Sequence, residues 1–359
     1  MVSANLNVDI NFTCVYHLGI MSRMTIVDPA LVVTAGGVED ALRELKVTYS
    51  LFFRSFDDAS SAVEFAARYR LIANERSCPK CSARMKIWKR KCADSMEWRC
   101  MKTALSGDGG RGRVQKRKKV PCAVVSIRRG SVFERSRLPI ATLLSVMFLW
   151  SQDAPQDRIR LSTGIAEHTA VDWEMFIREI CAYYVERRQA PLGGPGKVVE
   201  VDESVFCRRK YNRGAVREHT WMFGAVERGT ANAVLFKVPD RTRATLEALI
   251  SRWIRPGTIV ISDMWAAYNG LSALGYPHYT VNHSTNFAHT VMHNGESLRV
   301  HTNTIEGLWS HAKRKFEEML GTSKANFESY ISEFMFRRMT KPSEFACLVD
   351  AVGRLYDPH

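Results

Sequence analysis

Apolar and polar positions along the chain change their rhythm twice. Up to residue 74, an irregular apolar stretch gives way to helical spacing. Across 60–72, for example, Val63, Phe65, Ala66 and Tyr69 recur at intervals of three and four. From 135 to 190 the pattern is helical again. Residues 138–150 are spaced as a buried helix. Residues 162–188 suggest a short helix, a turn and a longer helix carrying Trp173, Phe176, Ile177, Ile180 and Tyr184. Two helices about a turn suit a helix-turn-helix DNA reader, and equally a plain helical linker. The run Pro191-Leu192-Gly193-Gly194-Pro195-Gly196 then breaks the periodicity and predicts a domain boundary.

Beyond it the pattern becomes strand-like. VVEVDESVF at 198–206, TWMFGAV at 220–226 and AVLFKV at 233–238 are short β-rich runs at meander spacing. A helix is predicted over 243–254, closed by Pro256-Gly257. TIVIS at 258–262 follows, a continuous apolar run that suits a central strand. The last helix, 304–320, places Ile305, Leu308, Trp309, Ala312 and Phe316 on one face. Strands and helices in this order predict a mixed α/β domain.

Charge changes this picture at one place. Residues 76–129 hold 17 Lys and Arg against three acids, which accounts for the whole formal net charge of +14. A basic block in an otherwise neutral chain is the electrostatic footprint of a polyanion, most often nucleic acid, although a solvating loop has the same composition. Within it, SGDGGRGR at 106–113 reads as a flexible loop, and Lys116-Arg117-Lys118-Lys119 as a charge run that also fits a nuclear import signal. No apolar run is long enough to span a bilayer, and Asp9 interrupts any export signal, so an intracellular protein with no membrane partner is expected. An odd count of nine cysteines then favours metal binding or burial over disulfides. Cys78-Pro79-Lys80-Cys81 is half of a tetrahedral zinc site; Cys92, Cys100 and Cys122 are the available partners. Cys14, Cys181, Cys207 and Cys347 sit among apolar residues and read as core or surface positions.

Three acids fall where structure alone would not choose them. Asp202 lies inside a strand, Asp263 follows TIVIS directly, and Glu306 is in the first turn of the last helix. A buried strand carboxylate is costly unless paired or metal-bound. Asn303, Glu306, Ser310 and Lys313 form one polar stripe on that helix. Such a trio suits hard divalent ions acting on a phosphodiester. It is also what turn formers and a helix N-terminal charge look like.

Four motifs decide between these readings: VEVDES around Asp202, SDMWAAY around Asp263, VNHSTNF at 281–287 and HTNTIEGLWSHAKRKF at 301–316. Together they resemble the catalytic domain of the Merlin superfamily of DNA transposons and the related bacterial insertion-sequence transposases. SIRRGSVFERSRL at 126–138 is similar to the segment those proteins carry after their zinc knuckle. The resemblance implies an RNase H-like mixed-sheet domain with a DDE triad of Asp202, Asp263 and Glu306 holding Mg²⁺ or Mn²⁺. Asn303 is a weaker alternative to Glu306, and His283 and His301 are supporting residues. It implies a DNA-end contact from Lys313, while the charge of the basic segment makes Lys116, Arg117, Lys118, Lys119, Arg128 and Arg129 candidate DNA contacts. It also selects Cys100 and Cys122, with Cys92 as substitute, to complete a structural Zn²⁺ site with Cys78 and Cys81.

The expected organisation is a partly helical region of unassigned role (1–74), a basic zinc-ribbon-like segment (75–130), a helical, helix-turn-helix-like region (131–192), the RNase H-like domain (193–340) and a C-terminal tail (341–359). The expected activity is cut-and-paste transposition by a dimer or higher oligomer on element ends and target DNA, in the nucleus of a eukaryote or the cytoplasm of a bacterium. A metal-dependent nuclease without strand transfer and a domesticated DNA-binding protein are the rivals.

Overall fold

The computed structural model describes residues 24–45, 48–56, 58–106, 116–206, 220–282, 288–318 and 326–358, with backbone alone at 51, 105, 106, 116–118 and 318. Cys14, Cys207, His283, most of the 106–113 loop and the side chains of Lys116, Arg117 and Lys118 lie outside that description. The helices are α1 (Val38–Glu44), α2 (Tyr49–Arg54), α3 (Ala59–Arg68), α4 (Ile140–Ser151), α5 (Gln156–Thr163), α6 (Glu167–Arg188), α7 (Arg243–Trp253), α8 (Asn303–Glu318), α9 (Phe327–Thr340) and α10 (Glu344–Leu355). The strands are β1 (Lys86–Lys89), β2 (Met96–Ser106), β3 (Lys116–Ser126), β4 (Val198–Phe206), β5 (Thr220–Glu227), β6 (Ala233–Val238), β7 (Ile259–Asp263), β8 (His278–Val281), β9 (His289–His293) and β10 (Glu296–Val300). None of the described helices is long and apolar enough to cross a membrane.

The chain folds into two compact units, one of residues 1–174 with 343–359 and the other of 175–342. In the first, a helical cluster is built around aromatic rings. Phe52 stacks on Phe148 at 4.1 Å between centroids, and Phe345 meets both edge-on at 5.4 and 5.3 Å. Edge-to-face and offset pairs of this kind suit the ring quadrupole. α3 starts where Asp58 accepts the Ser61 N–H at 2.7 Å, an N-cap that satisfies one orphan donor. α5 stops at Gly164, which takes φ 69° at its C-cap, and α6 begins three residues later. The C-terminal α10 buries Phe345 through Val352 and packs on α1 and α4. A separate antiparallel sheet in the order β1-β2-β3 carries the basic segment.

The second unit is a five-stranded mixed sheet in the order β6-β5-β4-β7-β8. β4 runs antiparallel to β5, and β5 to β6; β4 is parallel to β7, and β7 to β8. Alternation along β4 separates two faces. Val199 and Val201 join Leu246 and Ile250 of α7, together with Tyr268 and Leu271, in the larger core cluster. Glu200 and Asp202 point the other way, to the face where α8 packs against β4 and β5. β9 and β10 pair as a hairpin, and its Val300 packs with Ile259, Ile261 and Val281. The Pro191–Gly196 run, which the sequence suggested as a boundary, is tied into this unit. Leu192 bridges Ile254, the Gly193 N–H donates to Glu227 at 2.9 Å, and the Gly194 N–H donates to Thr258 at 2.8 Å. These bonds hold it against the sheet, and the division between units falls earlier, within α6.

Candidate functional site

Sheet register brings the two aspartates together. β4 and β7 pair in parallel up to Glu200 opposite Ile261, so two residues further along both strands Asp202 and Asp263 stand side by side. Burial pushes the Asp202 carboxyl up to about 7, and the charges of Glu203 and Asp263 add to the effect. Glu203 is also raised to about 7, first by burial, against the lowering effect of a hydrogen bond from Tyr268 and the charge of Arg241. Half-buried carboxylates crowded this way favour the protonated form unless a cation joins them. Asp263 is braced by the Trp265 N–H, which donates to its Oδ1 at 2.9 Å.

α8 is fastened to the sheet by a fourth acid, which the sequence did not single out. Glu200 is fully buried. It accepts the backbone N–H groups of Thr304 and Ile305 at 2.8 and 3.0 Å and the Thr304 hydroxyl at 2.8 Å. It therefore caps the N-terminus of α8 from the neighbouring strand, where orphan donors and the helix dipole favour a negative charge. Arg228 donates Nε to Glu200 at 2.5 Å and spends its other nitrogens on the carbonyls of Arg299 and His301. His301 sits within 3.3 Å of Glu200, but burial and Arg228 hold its pKa below the usual value.

Docked in this way, α8 presents Trp309 to Asp202, donating the indole N–H to Oδ2 at 3.1 Å. Gly224, opposite Asp202 on β5, makes room for that ring: a Cβ there would lie 2.6 Å from Trp309 Cζ2. Glu306 lies one turn before Trp309, exposed, and its Oε1 accepts the Thr302 hydroxyl at 2.8 Å. Asn303 is exposed beside it, while Lys313, two turns further on, carries its ammonium 5.8 Å from the Phe206 ring.

The cysteines form a second centre, in the first unit. The Sγ atoms of Cys78, Cys81, Cys100 and Cys122 all lie within 4.8 Å of one another. Individual separations are 3.5 Å for Cys81–Cys100 and 3.8 Å for Cys78–Cys122 and Cys81–Cys122. A tetrahedron with Zn–S bonds of about 2.3 Å has edges of about 3.8 Å, so the donor set fits zinc in both chemistry and size. Cys78 and Cys81 lie on a tight turn closed by the Cys78 N–H to Ala83 O at 2.9 Å. Cys122 arrives by a β-bulge. Cys100 pairs with Ala123 and Met101 with Pro121, which leaves Cys122 as the extra residue. Cys92 is exposed and takes no place in the cluster. Burial raises Cys100 to about 12, helped by the other thiols. At Cys78 the raising effect of burial is outweighed by hydrogen bonds from the Lys80 and Cys81 N–H groups, and its pKa falls to about 6.

Arg128 corrects the sequence reading. It is buried, forms a two-point pair with Asp94, and donates to the carbonyls of Ser136 and Leu138 at 2.7 Å. Its guanidinium ties the ribbon to the start of α4 and is not available to DNA. Arg129 and Lys119 are exposed. Of the other cysteines, Cys181 and Cys347 are buried. Glu200 and Glu203 are the acids of this region that the sequence did not single out; VEVDES marks both as acids on a strand, but only the packing separates the helix cap from the partner of Tyr268.

A family model, the ISXO2-like transposase domain, matches residues 184–338. An uncharacterized transposase-like protein of Haemophilus influenzae is 35% identical over 100 residues, which cover 28% of this chain and 75% of that protein. The chain belongs to the insertion-sequence-related transposase family defined by these similarities. A more extensive relative is the male abnormal protein mab-31 of Caenorhabditis elegans, 24% identical over 367 residues, covering 93% of this chain and 76% of that protein.

Proposed function

We propose that this protein is a DNA transposase of the Merlin-like group, whose second unit is an RNase H-like domain working through Asp202, Asp263 and Glu306. The observation that carries the reading is that Asp202 and Asp263 lie two residues beyond the last paired residues of adjacent parallel strands, with Asp202 pushed up to about 7 by burial and neighbouring acids. The strand order β6-β5-β4-β7-β8 supports the fold assignment. Asp202, Asp263 and Glu306 would hold Mg²⁺ or Mn²⁺, and such ions supply activation of the attacking oxygen and stabilisation of the leaving one. The protein's own part is placement: Trp309 orients Asp202, the Trp265 N–H orients Asp263, and Glu200 fixes the helix that brings Glu306.

The four-cysteine ribbon would hold a structural Zn²⁺, and the chain's basic residues (Lys119 and Arg129, with Lys116, Arg117 and Lys118) would follow a phosphate backbone. Lys313 would contact the DNA end. α5 and α6, joined by a three-residue turn, would act as a helix-turn-helix reader. Acting on two ends calls for a dimer at least, and the KRKK run would direct the protein to the nucleus in a eukaryotic host.

The test is strand cleavage and joining on DNA flanking the encoding gene, with Mg²⁺ or Mn²⁺, comparing wild type with Asp263→Ala. Joined products from the wild type alone support transposition. Cleaved but unjoined products would make it a nuclease. DNA affinity without cleavage in either protein would favour a domesticated DNA-binding protein, a reading supported by kinship to a relative named for a male abnormality and not for transposition.

A further inference from the structure

Directly beyond Asp263, the chain turns out of the sheet and exposes Met264 and Trp265, which keep 61% and 41% of their surface open to solvent. Trp265 is nevertheless fixed in place. Its backbone N–H is bonded to Asp263 and its indole N–H donates to the Arg241 carbonyl at 3.3 Å. The Arg241 guanidinium lies between two indoles, 3.7 Å from the Trp221 centroid and 4.7 Å from that of Trp265. Around them is an open cleft of about 660 Å³, lined by Thr242, Arg243 and Asn269 as well as Arg241 and Trp265. Arg243 is held at its side by Glu247 at 3.2 Å, in space left by Gly270, where a Cβ would collide with that pair. Arg241 also acts electrostatically on Glu203, which in turn feels Asp263, so the cleft adjoins the carboxylates.

An exposed indole, fixed and flanked by two arginines, has the chemistry of a base-stacking platform with phosphate contacts at its edge. We propose that this cleft receives one unstacked nucleotide of the DNA strand that passes Asp202 and Asp263, with the base stacked on Trp265 and its phosphate met by Arg241 and Arg243. A base taken out of the duplex this way pins the strand in register with the carboxylates. Its recognition is indifferent to sequence, since every base offers a π-face. This rests on the reading that a DNA strand passes these carboxylates, but stacking and cleavage are measured separately.

The experiment uses the full chain in Ca²⁺ with an oligomer of about ten thymidines carrying one 5-iodouracil, irradiated and mapped by mass spectrometry. An adduct at Trp265 is expected; adducts confined to other residues would overturn the proposal. Anisotropy titrations with the thymidine oligomer and an abasic oligomer of equal length give the second readout. Trp265→Ala should weaken the thymidine oligomer about tenfold and leave the abasic one unchanged, while Trp265→Tyr retains most of the affinity. Equal losses on both oligomers, or none, would mean that Trp265 stacks no base. If the base-specific loss appears in a protein that cleaves nothing, the subsite stands and the transposase reading falls. If cleavage proceeds without that loss, only the subsite falls.

Discussion

The thiol centre and the carboxylate centre solve opposite problems. Cys78, Cys81, Cys100 and Cys122 come from one hairpin sheet and one turn, and their sulfurs already stand at zinc-like spacing. All four ligands belong to the protein, so the site is closed and suits a structural ion. Asp202, Asp263 and Glu306 come from two strands and a helix, and the neighbouring Glu203 adds another like charge. Asp202, Glu203 and Asp263 crowd like charges that raise the Asp202 carboxyl, while Glu306 stands exposed on α8, one turn before the Trp309 that donates to Asp202. The contrast teaches that a cluster whose groups complete one another's geometry suits a structural role, whereas one that leaves like charges unresolved has the electrostatics expected of the function we propose for it.

The largest effect that could break this contrast is loss of the zinc we propose for the four thiols. Chelation, or Cys78→Ser, should unfold the ribbon, because binding free energies of roughly 10–16 kcal/mol for structural zinc are folding free energies. Zinc content by atomic absorption and near-UV circular dichroism would read it out. Cys92→Ser should leave both unchanged; a loss of zinc there would put Cys92 in the site after all.

Next in size is Glu200→Ala, which strands Arg228 and two N–H groups of α8. Breaking a buried ion pair from one side costs about 3–5 kcal/mol. Thermal unfolding should show the loss, and Glu200→Gln, which keeps an acceptor, should recover part of it. A neutral Glu200→Ala would mean that α8 is held by its apolar face alone.

Gly224→Ala should cost about 1–3 kcal/mol, because overpacking forces Trp309 to move. Its distinguishing result is weaker Mn²⁺ binding, measured by calorimetry, since Asp202 loses its indole donor. Unchanged Mn²⁺ affinity would deny Trp309 an orienting role.

The smallest effect has the opposite sign. In folded protein without divalent ions, Asp202 holds its proton to about pH 7, whereas an unfolded aspartate loses it near pH 3.9. The folded state therefore binds the extra proton between those values, and stability falls as pH rises through that window. Asp202→Asn should then raise Tm at pH 8 in EDTA, by about 2–4 °C for each kcal/mol relieved, with the gain vanishing towards pH 4. A gain that is flat with pH would show that ionisation of Asp202 is not what destabilises the fold.

Much of the second unit was legible from periodicity because the strands of β4 to β7 and the helices α7 and α8 carry their own local signals: alternation, apolar runs and a stripe at helical spacing. β8 and the β9–β10 hairpin were not, since these strands are only four or five residues long and, apart from Val281 and Val300, half-buried or exposed. The Cys78–Cys81 turn is likewise a local motif. Residue chemistry and spacing thus determined the α/β character, the basic block, half of the thiol site and the three acids worth testing.

Tertiary structure alone decided the rest, because it depends on which distant segments meet. Register between β4 and β7 placed Asp202 beside Asp263. A bulge opposite Cys100 carried Cys122 to the cluster in preference to Cys92. Glu200 and Glu203, neighbours but for Val201 and Asp202, were sent to a helix cap and to Tyr268 by the pleat and by what packs on each face. Arg128 was drawn inside by Asp94, and α10 was carried back to α1 and α4 by the aromatic cluster. A sequence states what each residue can do; only long-range packing, through burial and partner choice, fixes which of those things it does.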